Sequence, residues 1–220
     1  RYLAEHPSLD FMGILAHGGH AYDCQGIDEI KIVAEEERSV TVAFAERLRS
    51  EGINVKEVSI GSTPTMAVAT DLTGITEVRP GNYAFFDLFQ ASIGSCTVED
   101  AAFSILASVI GVYPERSQIL IDAGAIAISK DPGATHVRDD LGFGLIYSAD
   151  GSQSLSHLRL SSLSQEHGKL KIGSDGPLPR VGDRIRVIPN HSCLAAAPHS
   201  RYIVARAQTV VATWIPARGW

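Results

Sequence analysis

A histidine and a cysteine stand two positions apart at the end of an apolar, strand-like run, within VIPNHSCLAAAPH at positions 187–199. In an extended chain, residues i and i+2 point to the same face, so His191 and Cys193 can bind one ion from a single stretch of backbone. Imidazole nitrogen and thiolate sulfur suit Zn²⁺ better than a hard cation such as Mg²⁺. Two protein ligands leave positions open for water or substrate, which is typical of catalytic zinc. The alternative is a small buried cysteine beside a hydrogen-bonded turn histidine.

A second group of polar residues follows three apolar runs, in the segments HGGHAY, GSTPT and RPGNY. Gly61 lets the backbone approach a ligand closely, and Pro64 suits the start of a helix whose free N–H groups bind phosphate. Adjacent late loops of a β/α barrel together form such a phosphate site. The candidate residues are Ser62, Thr63, Thr65, Gly81 and Asn82. Alone, GSTPT is also typical of an ordinary Ser/Thr-capped turn.

The segment HGGHAY places three further polar side chains on the same rim. Tyr22 can supply a hydroxyl group or an aromatic surface, and His17 and His20 flank it. Histidines hydrogen-bonded within a glycine turn are an equally good interpretation of His17 and His20.

Alternating strands and a helix must position this rim. Positions 27–52 have apolar residues at mostly helical spacing and end at Gly52, a typical C-terminal cap, so they predict a helix. The predicted apolar positions are Ile30, Val33, Val40, Phe44 and Leu48. Strands are predicted in FMGILAHGG, NVKEVSIG and ITEVRPGNYAFFD, with a short helix in STPTMAVATDL. This order indicates a parallel sheet, which we expect to be part of a β/α (TIM-like) barrel over positions 1–95.

The remainder of the chain has a different pattern. Short β-favouring runs, separated by Gly, Pro, Asp and Ser clusters, fill positions 96–220. They predict an antiparallel β domain, and the strand DRIRVIP carries the histidine and cysteine. The apolar run QILIDAGAIAIS is among the predicted strands.

Composition limits the classes of function. The 220-residue chain has a formal net charge of −6, which argues against nucleic acid as the main partner. The cysteines, Cys24, Cys96 and Cys193, are odd in number and widely spaced, so we expect reduced thiols and a cytoplasmic protein. No apolar run reaches about 18 residues, so no membrane span is expected.

Several motifs, in this order, carry a resemblance: GHAYDC, GSTPT, EVRPGNYAFFD, DAGAIAISKD and PNHSC. Together they resemble the D-serine dehydratase and D-threonine aldolase family, metal-dependent pyridoxal-phosphate enzymes that share the alanine-racemase fold. The similarity extends over nearly the whole chain. It implies a β/α barrel that binds pyridoxal 5′-phosphate, a C-terminal β domain that binds the metal, and a homodimer.

The resemblance also implies roles for particular residues. The cofactor-binding residues would be Tyr22, Ser62, Thr63, Thr65, Arg79, Gly81 and Asn82, with Tyr22 near the pyridine ring and Arg79 in the RPG turn. His191 and Cys193 would bind Zn²⁺, or Mn²⁺ or another divalent ion in its place.

The implied reaction is zinc-assisted elimination of the hydroxyl group of a 3-hydroxy-D-amino acid such as D-serine, which gives a 2-keto acid and ammonia. Cys193 favours a dehydratase, because the aldolases of the family tend to have aspartate at that position. Retro-aldol cleavage of the D-threonine type is the alternative.

One expected residue is absent. The family has its Schiff-base lysine in an early barrel strand, and none of Lys31, Lys56, Lys130, Lys169 and Lys171 matches that position. We therefore expect the chain to be the C-terminal part of a longer enzyme, inactive without its N-terminal segment. A non-catalytic binding subunit is one rival hypothesis, and a thiol hydrolase that uses Cys96 is another.

Overall fold

The computed structural model describes residues 2–173 and 176–217, and the chain divides into two compact units. The first unit, here called the α/β unit, extends to Ala84 and includes Gln90–Thr97. The second, here called the β unit, consists of Phe85–Phe89 and the chain from Val98 onward. The short helix at Leu88–Ser92 lies where the chain passes from one unit to the other.

The α/β unit contains the predicted parallel sheet. Its strands pair in the order β1-β2-β3, with Ile14 opposite Val58 and Ile60 opposite Val78. The elements are α1 (Tyr2–Glu5), β1 (Gly13–Leu15), α2 (Ile27–Ser50), β2 (Glu57–Ile60), α3 (Thr63–Val68), β3 (Glu77–Val78) and α4 (Leu88–Ser92). The third strand is only two residues long, so most of ITEVRPGNYAFFD is loop.

Helix α2 ends as predicted, with Gly52 at a φ of 80°, but its buried face does not include all of its apolar positions. Val40 and Phe44 are 62% and 51% exposed, whereas Glu37 and Thr41 are buried. Thr41 Oγ1 donates to the Glu37 carbonyl oxygen at 2.6 Å, and Glu37 Oε1 accepts the N–H groups of Gly18 and Gly61, which offsets part of the cost of burying this polar pair. The apolar positions in the sequence therefore do not by themselves identify the buried face of this helix.

The β unit is an antiparallel sheet of six strands in the order β6-β9-β4-β5-β8-β7, beside a separate β10–β11 hairpin. Its elements are β4 (Ile105–Tyr113), β5 (Gln118–Ile121), α5 (Ala125–Ile128), β6 (Gly144–Ser148), β7 (Leu158–Leu163), β8 (Gly168–Ile172), β9 (Arg184–Pro189), α6 (Ser192–Ala196), β10 (Tyr202–Arg206) and β11 (Thr209–Trp214). The first and last strands of the sheet approach each other, because the Phe143 N–H donates to the Leu160 carbonyl oxygen at 2.9 Å. The sheet is thus a nearly closed barrel.

Alternating inward residues fill the core of this barrel. Ile119, Ile121, Leu160 and Leu170 have no exposed surface, and the sequence pattern predicted their strands correctly. The expected fold class, part of a β/α barrel followed by an antiparallel β domain, is confirmed.

One predicted strand is wrong. Within QILIDAGAIAIS, only Gln118–Ile121 is a strand, and Ala125–Ile128 forms a helical turn. The Ala125 and Ile126 N–H groups donate to the carbonyl oxygens of Ser164 and Gln165, so the chain leaves the ladder to pack on the β7–β8 turn. Among the helices of the described residues, none is both long and apolar enough to cross a membrane.

Candidate metal and cofactor sites

The HSC segment, residues 191–193, follows strand β9 after one intervening residue, Asn190. Pro189 ends the strand, and His191, with φ −133° and ψ 102°, is the N-cap of α6. Cys193 therefore lies in the first turn of a helix rather than in an extended chain. Strand alternation therefore does not set the directions of both side chains, because Cys193 belongs to the helix.

The residues on either side of His191 anchor the segment to the β unit. Asn190 is buried, and its amide nitrogen donates to the carbonyl oxygens of Asp131 at 3.1 Å and Gly142 at 2.8 Å. Ser192 is fully buried, and its N–H donates to Oδ2 of Asp87 at 2.9 Å. Buried hydrogen bonds of this kind fix a loop in one conformation.

The two candidate ligands are accessible. Cys193 is exposed, and the His191 side chain keeps 34% of its surface accessible. The next turn of α6 is buried through Ala195 and Ala196, which pack in the barrel core. The helix is therefore docked by its small residues while its first turn presents the thiol outward.

A carboxylate that the sequence analysis missed binds the histidine ring. Asp131 Oδ2 lies 2.8 Å from His191 Nδ1. Hydrogen bonding to Asp131, and secondly to Cys193, raises the pKa of His191 to about 10. The same bond from His191 holds the pKa of Asp131 below its usual value. The only sequence signal was the motif DAGAIAISKD, which ends at Asp131 but does not indicate its partner.

The donor set fits a zinc ion. One imidazole and one thiol lie two positions apart, with the other ring nitrogen held by a carboxylate, a common arrangement for metal-binding histidines. Within residues 2–173 and 176–217, no group of three or more His, Cys, Asp or Glu side chains is arranged to hold a metal. A metal bound by this pair would have two protein ligands and open positions rather than four protein ligands.

In the α/β unit, GSTPT forms the start of α3 with a reciprocal cap. Ser62 is the N-cap; its Oγ accepts from the Thr65 N–H at 3.3 Å, and Thr65 Oγ1 accepts from the Ser62 N–H at 3.1 Å. Thr63 Oγ1 accepts from the Tyr83 N–H at 3.1 Å. The three hydroxyl groups are buried and hold the two neighbouring loops in shape.

The glycines of the two loops allow close backbone approach. Gly61 has a φ of 121°, and an added Cβ would lie 3.0 Å from the Arg79 nitrogen. At Gly81, an added Cβ would meet nothing within 4 Å, so the backbone there borders open space. Asn82 begins a 3-10 turn over Asn82–Ala84. These loops fit a group that contacts main-chain N–H donors.

Arg79 and Glu37 tie the strand ends together. Arg79 Nε donates to Ser59 Oγ at 2.8 Å, and its Nη2 donates to the Ala16 carbonyl oxygen. Glu37 Oε1 accepts from the N–H groups of Gly18 at 2.7 Å and Gly61 at 3.1 Å. Glu37 was missed because its place in the helix sequence is that of a surface glutamate.

His20 and Tyr22 of HGGHAY lie on a 3-10 turn, Gly19–Asp23, and His17 lies two residues before this turn. The ring of Tyr22 lies 6.2 Å from that of His17, and His17 Nδ1 donates to the Gly61 carbonyl oxygen at 2.9 Å. His20 is exposed and lies 3.9 Å from Glu36. His17 therefore connects two of the three predicted rim segments.

Two further polar side chains of the β unit, Asp122 and His199, contact backbone groups. Asp122 is exposed and accepts the Ser108 N–H at 2.7 Å. His199 Nε2 lies 3.3 Å from the Ala127 carbonyl oxygen.

Comparisons with known proteins agree with this arrangement. Residues 102–205 match a family model described as "Putative serine dehydratase domain". The chain is 39% identical over 224 residues to the D-serine dehydratase of Dictyostelium discoideum, covering 96% of this chain and 55% of that protein. This chain belongs to the D-serine dehydratase and D-threonine aldolase family. The resemblance found in the motifs is thus confirmed.

Solved structures of the family have the same fold. The D-threo-3-hydroxyaspartate dehydratase of Delftia sp. HT23 superposes with a TM-score of 0.88 at 37% identity, over 96% of this chain and 57% of that one. The D-threonine aldolase of Filomicrobium marinum superposes with a TM-score of 0.76 at 25% identity, over 97% of this chain and 55% of that one. An alanine racemase of Clostridium difficile 630 superposes with a TM-score of 0.53 over 96% of this chain and 58% of that one. At 12% identity, this likeness shows the fold alone.

The chain spans about half the length of the relatives it matches, which is consistent with the expected C-terminal portion of the family fold. Solved structures of a D-threo-3-hydroxyaspartate dehydratase include a variant with a cysteine replaced by alanine, in the metal-free form. Another has alanine in place of a histidine two positions earlier.

Proposed function

We propose that this chain is part of a pyridoxal 5′-phosphate- and zinc-dependent dehydratase that converts a 3-hydroxy-D-amino acid such as D-serine into a 2-keto acid and ammonia. The proposal concerns the complete enzyme, because the chain covers about half of the relatives that carry out such reactions. We expect the Schiff-base lysine to lie outside these 220 residues and the active enzyme to be a homodimer.

The observation that carries the proposal is the partly accessible imidazole of His191 and the exposed thiol of Cys193, which lie on either side of the buried Ser192. Their spacing equals that of the histidine and cysteine replaced in the dehydratase variants, one of which was solved in the metal-free form. A bound zinc ion supplies a Lewis acid that polarises the departing 3-hydroxyl group. His191 and Cys193 hold the ion, and the buried Asn190 and Ser192 keep them in place.

The α/β unit is proposed to bind the cofactor. When bound, pyridoxal 5′-phosphate supplies an electron sink for the α-carbon. The main chain at Gly81 and Asn82 would donate to the phosphate, Gly61 would let the backbone approach it closely, and the buried hydroxyl groups of GSTPT keep this loop in shape. Tyr22 would lie against the cofactor ring, and Arg79 would fix the strand ends beneath it.

Elimination is favoured over retro-aldol cleavage by Cys193. The two dehydratases named above are 39% and 37% identical to this chain, whereas the aldolase of Filomicrobium marinum is 25% identical. A thiolate ligand and a closer relation to dehydratases point to the same reaction.

The test is an assay of the complete gene product on D-serine, D-threonine and D-threo-3-hydroxyaspartate, with and without a chelator. We expect ammonia and the keto acid to appear in equal amounts, and both to fall to background with chelator and return when zinc is restored. Aldehyde and glycine from D-threonine would instead identify an aldolase. No turnover, no visible cofactor absorbance and no bound zinc would identify a binding subunit and overturn the proposal.

A further inference from the structure

Asp131 is held in place from several directions. Its Oδ2 lies 2.8 Å from His191 Nδ1, and its Oδ1 accepts the Gly133 N–H at 2.8 Å. Its own N–H donates to Ser129 Oγ at 3.1 Å, and its carbonyl oxygen accepts from the Asn190 amide at 3.1 Å. The carboxylate therefore has a fixed position relative to the segment that carries His191.

The contact determines which ring nitrogen carries a proton. An ionised carboxylate only accepts hydrogen bonds, so His191 Nδ1 must be the donor. In the neutral ring, a proton on Nδ1 leaves the lone pair on Nε2, and Nε2 is then the nitrogen able to bind a cation.

Asp131 itself is badly placed to be a ligand. Both of its oxygens are already engaged, one with the ring and one with the turn at Gly133. Nδ1 and Nε2 lie on different edges of the imidazole, so a carboxylate on Nδ1 lies away from an ion on Nε2. The geometry is that of a group acting through the histidine.

We propose that Asp131 is a positioning residue for the metal site, holding His191 in the Nδ1–H tautomer and aiming Nε2 at the ion shared with Cys193. The inference rests on the proposed function, because it requires that His191 and Cys193 bind a metal. Carboxylates that bind a metal-ligating histidine in this way typically change metal affinity about 10- to 100-fold when they are removed.

The decisive variant is Asp131→Asn in the full chain. Asparagine can keep an oxygen for the Gly133 N–H while presenting an amide N–H to the ring, which moves the histidine proton to Nε2 and blocks the ion. We expect zinc affinity, measured by competition with a chromophoric chelator, to fall about 10- to 100-fold. The ¹⁵N spectrum of the His191 ring should show a proton on Nδ1 in the parent and none there in the variant.

The matched control is Asp140→Asn. Asp140 lies in the same loop, is exposed and pairs with Arg138 at 3.0 Å, so the variant removes the same charge without touching the ring. It should bind zinc like the parent. Should Asp131→Asn fail to fold, Asp131→Ser replaces it, because a serine hydroxyl still accepts at a turn but does not reach the ring.

The outcomes separate the two claims. A parent chain that binds no zinc overturns the proposed metal site, and the inference with it. A parent that binds zinc and loses it on His191→Ala, while Asp131→Asn binds as tightly and keeps its Nδ1 proton, overturns the role of Asp131 alone.

Discussion

At the scale of single residues, the segment after Pro189 is divided between anchoring and exposed side chains. Asn190 and Ser192 are buried and hydrogen-bonded, whereas His191 is partly accessible and Cys193 is exposed. A polar segment buried without partners would be costly, and these partners come from loops distant in sequence, at Asp87 and Asp131. The chemistry of the exposed pair therefore depends on residues that the local sequence does not contain.

Replacing either proposed ligand should remove the metal. We expect His191→Ala and Cys193→Ala to lower zinc affinity by on the order of 100-fold or more. This is a larger effect than the usual one of removing a residue that hydrogen-bonds to a metal ligand. Leu194→Ala is the control, because Leu194 lies in the same turn and is 51% exposed. Zinc per chain, measured by elemental analysis after dialysis, checks this prediction. A Cys193→Ala protein that retains its full zinc content would contradict the proposed site.

Glu37 should be a stability residue of the α/β unit. Its Oε1 accepts two N–H groups, from Gly18 and Gly61, and the side chain is 7% exposed. Because each buried donor left unpaired costs about 1–3 kcal/mol, Glu37→Ala should lower the free energy of unfolding by about 2–5 kcal/mol. Urea denaturation measures the change. Glu36→Ala, on the exposed side of the same helix, should change it by less than about 0.5 kcal/mol.

At the scale of elements, the short helix α6 is stabilised by tertiary contacts. It spans Ser192–Ala196, too short to be stable by itself, and is docked by Ala195 and Ala196 in the core. The Asp87 carboxylate, 1% exposed, accepts both the N–H and the hydroxyl of Ser192, at 2.9 and 3.3 Å. A residue about one hundred positions earlier thus caps the helix that presents Cys193.

Removing this cap should weaken both the fold and the metal site. We expect Asp87→Ala to cost about 1–3 kcal/mol of unfolding free energy, because the buried Ser192 N–H loses its acceptor, and to lower zinc affinity as well. Asp122→Ala is the matched control. Asp122 also accepts a backbone N–H but is exposed, so water replaces it. Equal losses in the two variants would contradict the argument.

At the scale of the whole molecule, the β unit depends on the near-closure of its sheet. The edge strands β6 and β7 meet where the Phe143 N–H donates to the Leu160 carbonyl oxygen. Gly142, beside this bond, has a φ of 63°, and an added Cβ would lie 2.2 Å from the Leu160 oxygen. Closure protects edges that would otherwise present unpaired N–H and C=O groups.

A side chain at the seam should open it. In Gly142→Ala, the alanine must adopt a left-handed backbone conformation, which costs about 1–2 kcal/mol. Its Cβ also clashes with the Leu160 oxygen, so the strands must move apart. Gly182→Ala has the same kind of backbone, with a φ of 95°, but nothing within 4 Å of the added Cβ. We expect Gly142→Ala to lose more unfolding free energy than Gly182→Ala and to speed amide exchange at Phe143. Equal losses would mean that the seam does not matter.

The sequence by itself determined the order of strands and helices, the change of architecture after the β/α region, and the pair of potential ligands at His191 and Cys193. These follow from periodicity, from Gly and Pro positions and from residue chemistry, all of which are local. Local reasoning predicted AIAI as a strand, because the local sequence does not contain the neighbours that make it a helical turn. It also did not show that Val40 and Phe44 are exposed.

Only the tertiary structure decided which residues hydrogen-bond to His191 and to the start of the helix that carries Cys193. Asp131 meets the His191 ring across 60 positions, and Asp87 meets Ser192 across 105. Glu37 joins two strand ends from the middle of a helix. A carboxylate finds such partners only when separate strands and loops are brought together by the core, so its role follows from the positions of its neighbours rather than from its own sequence.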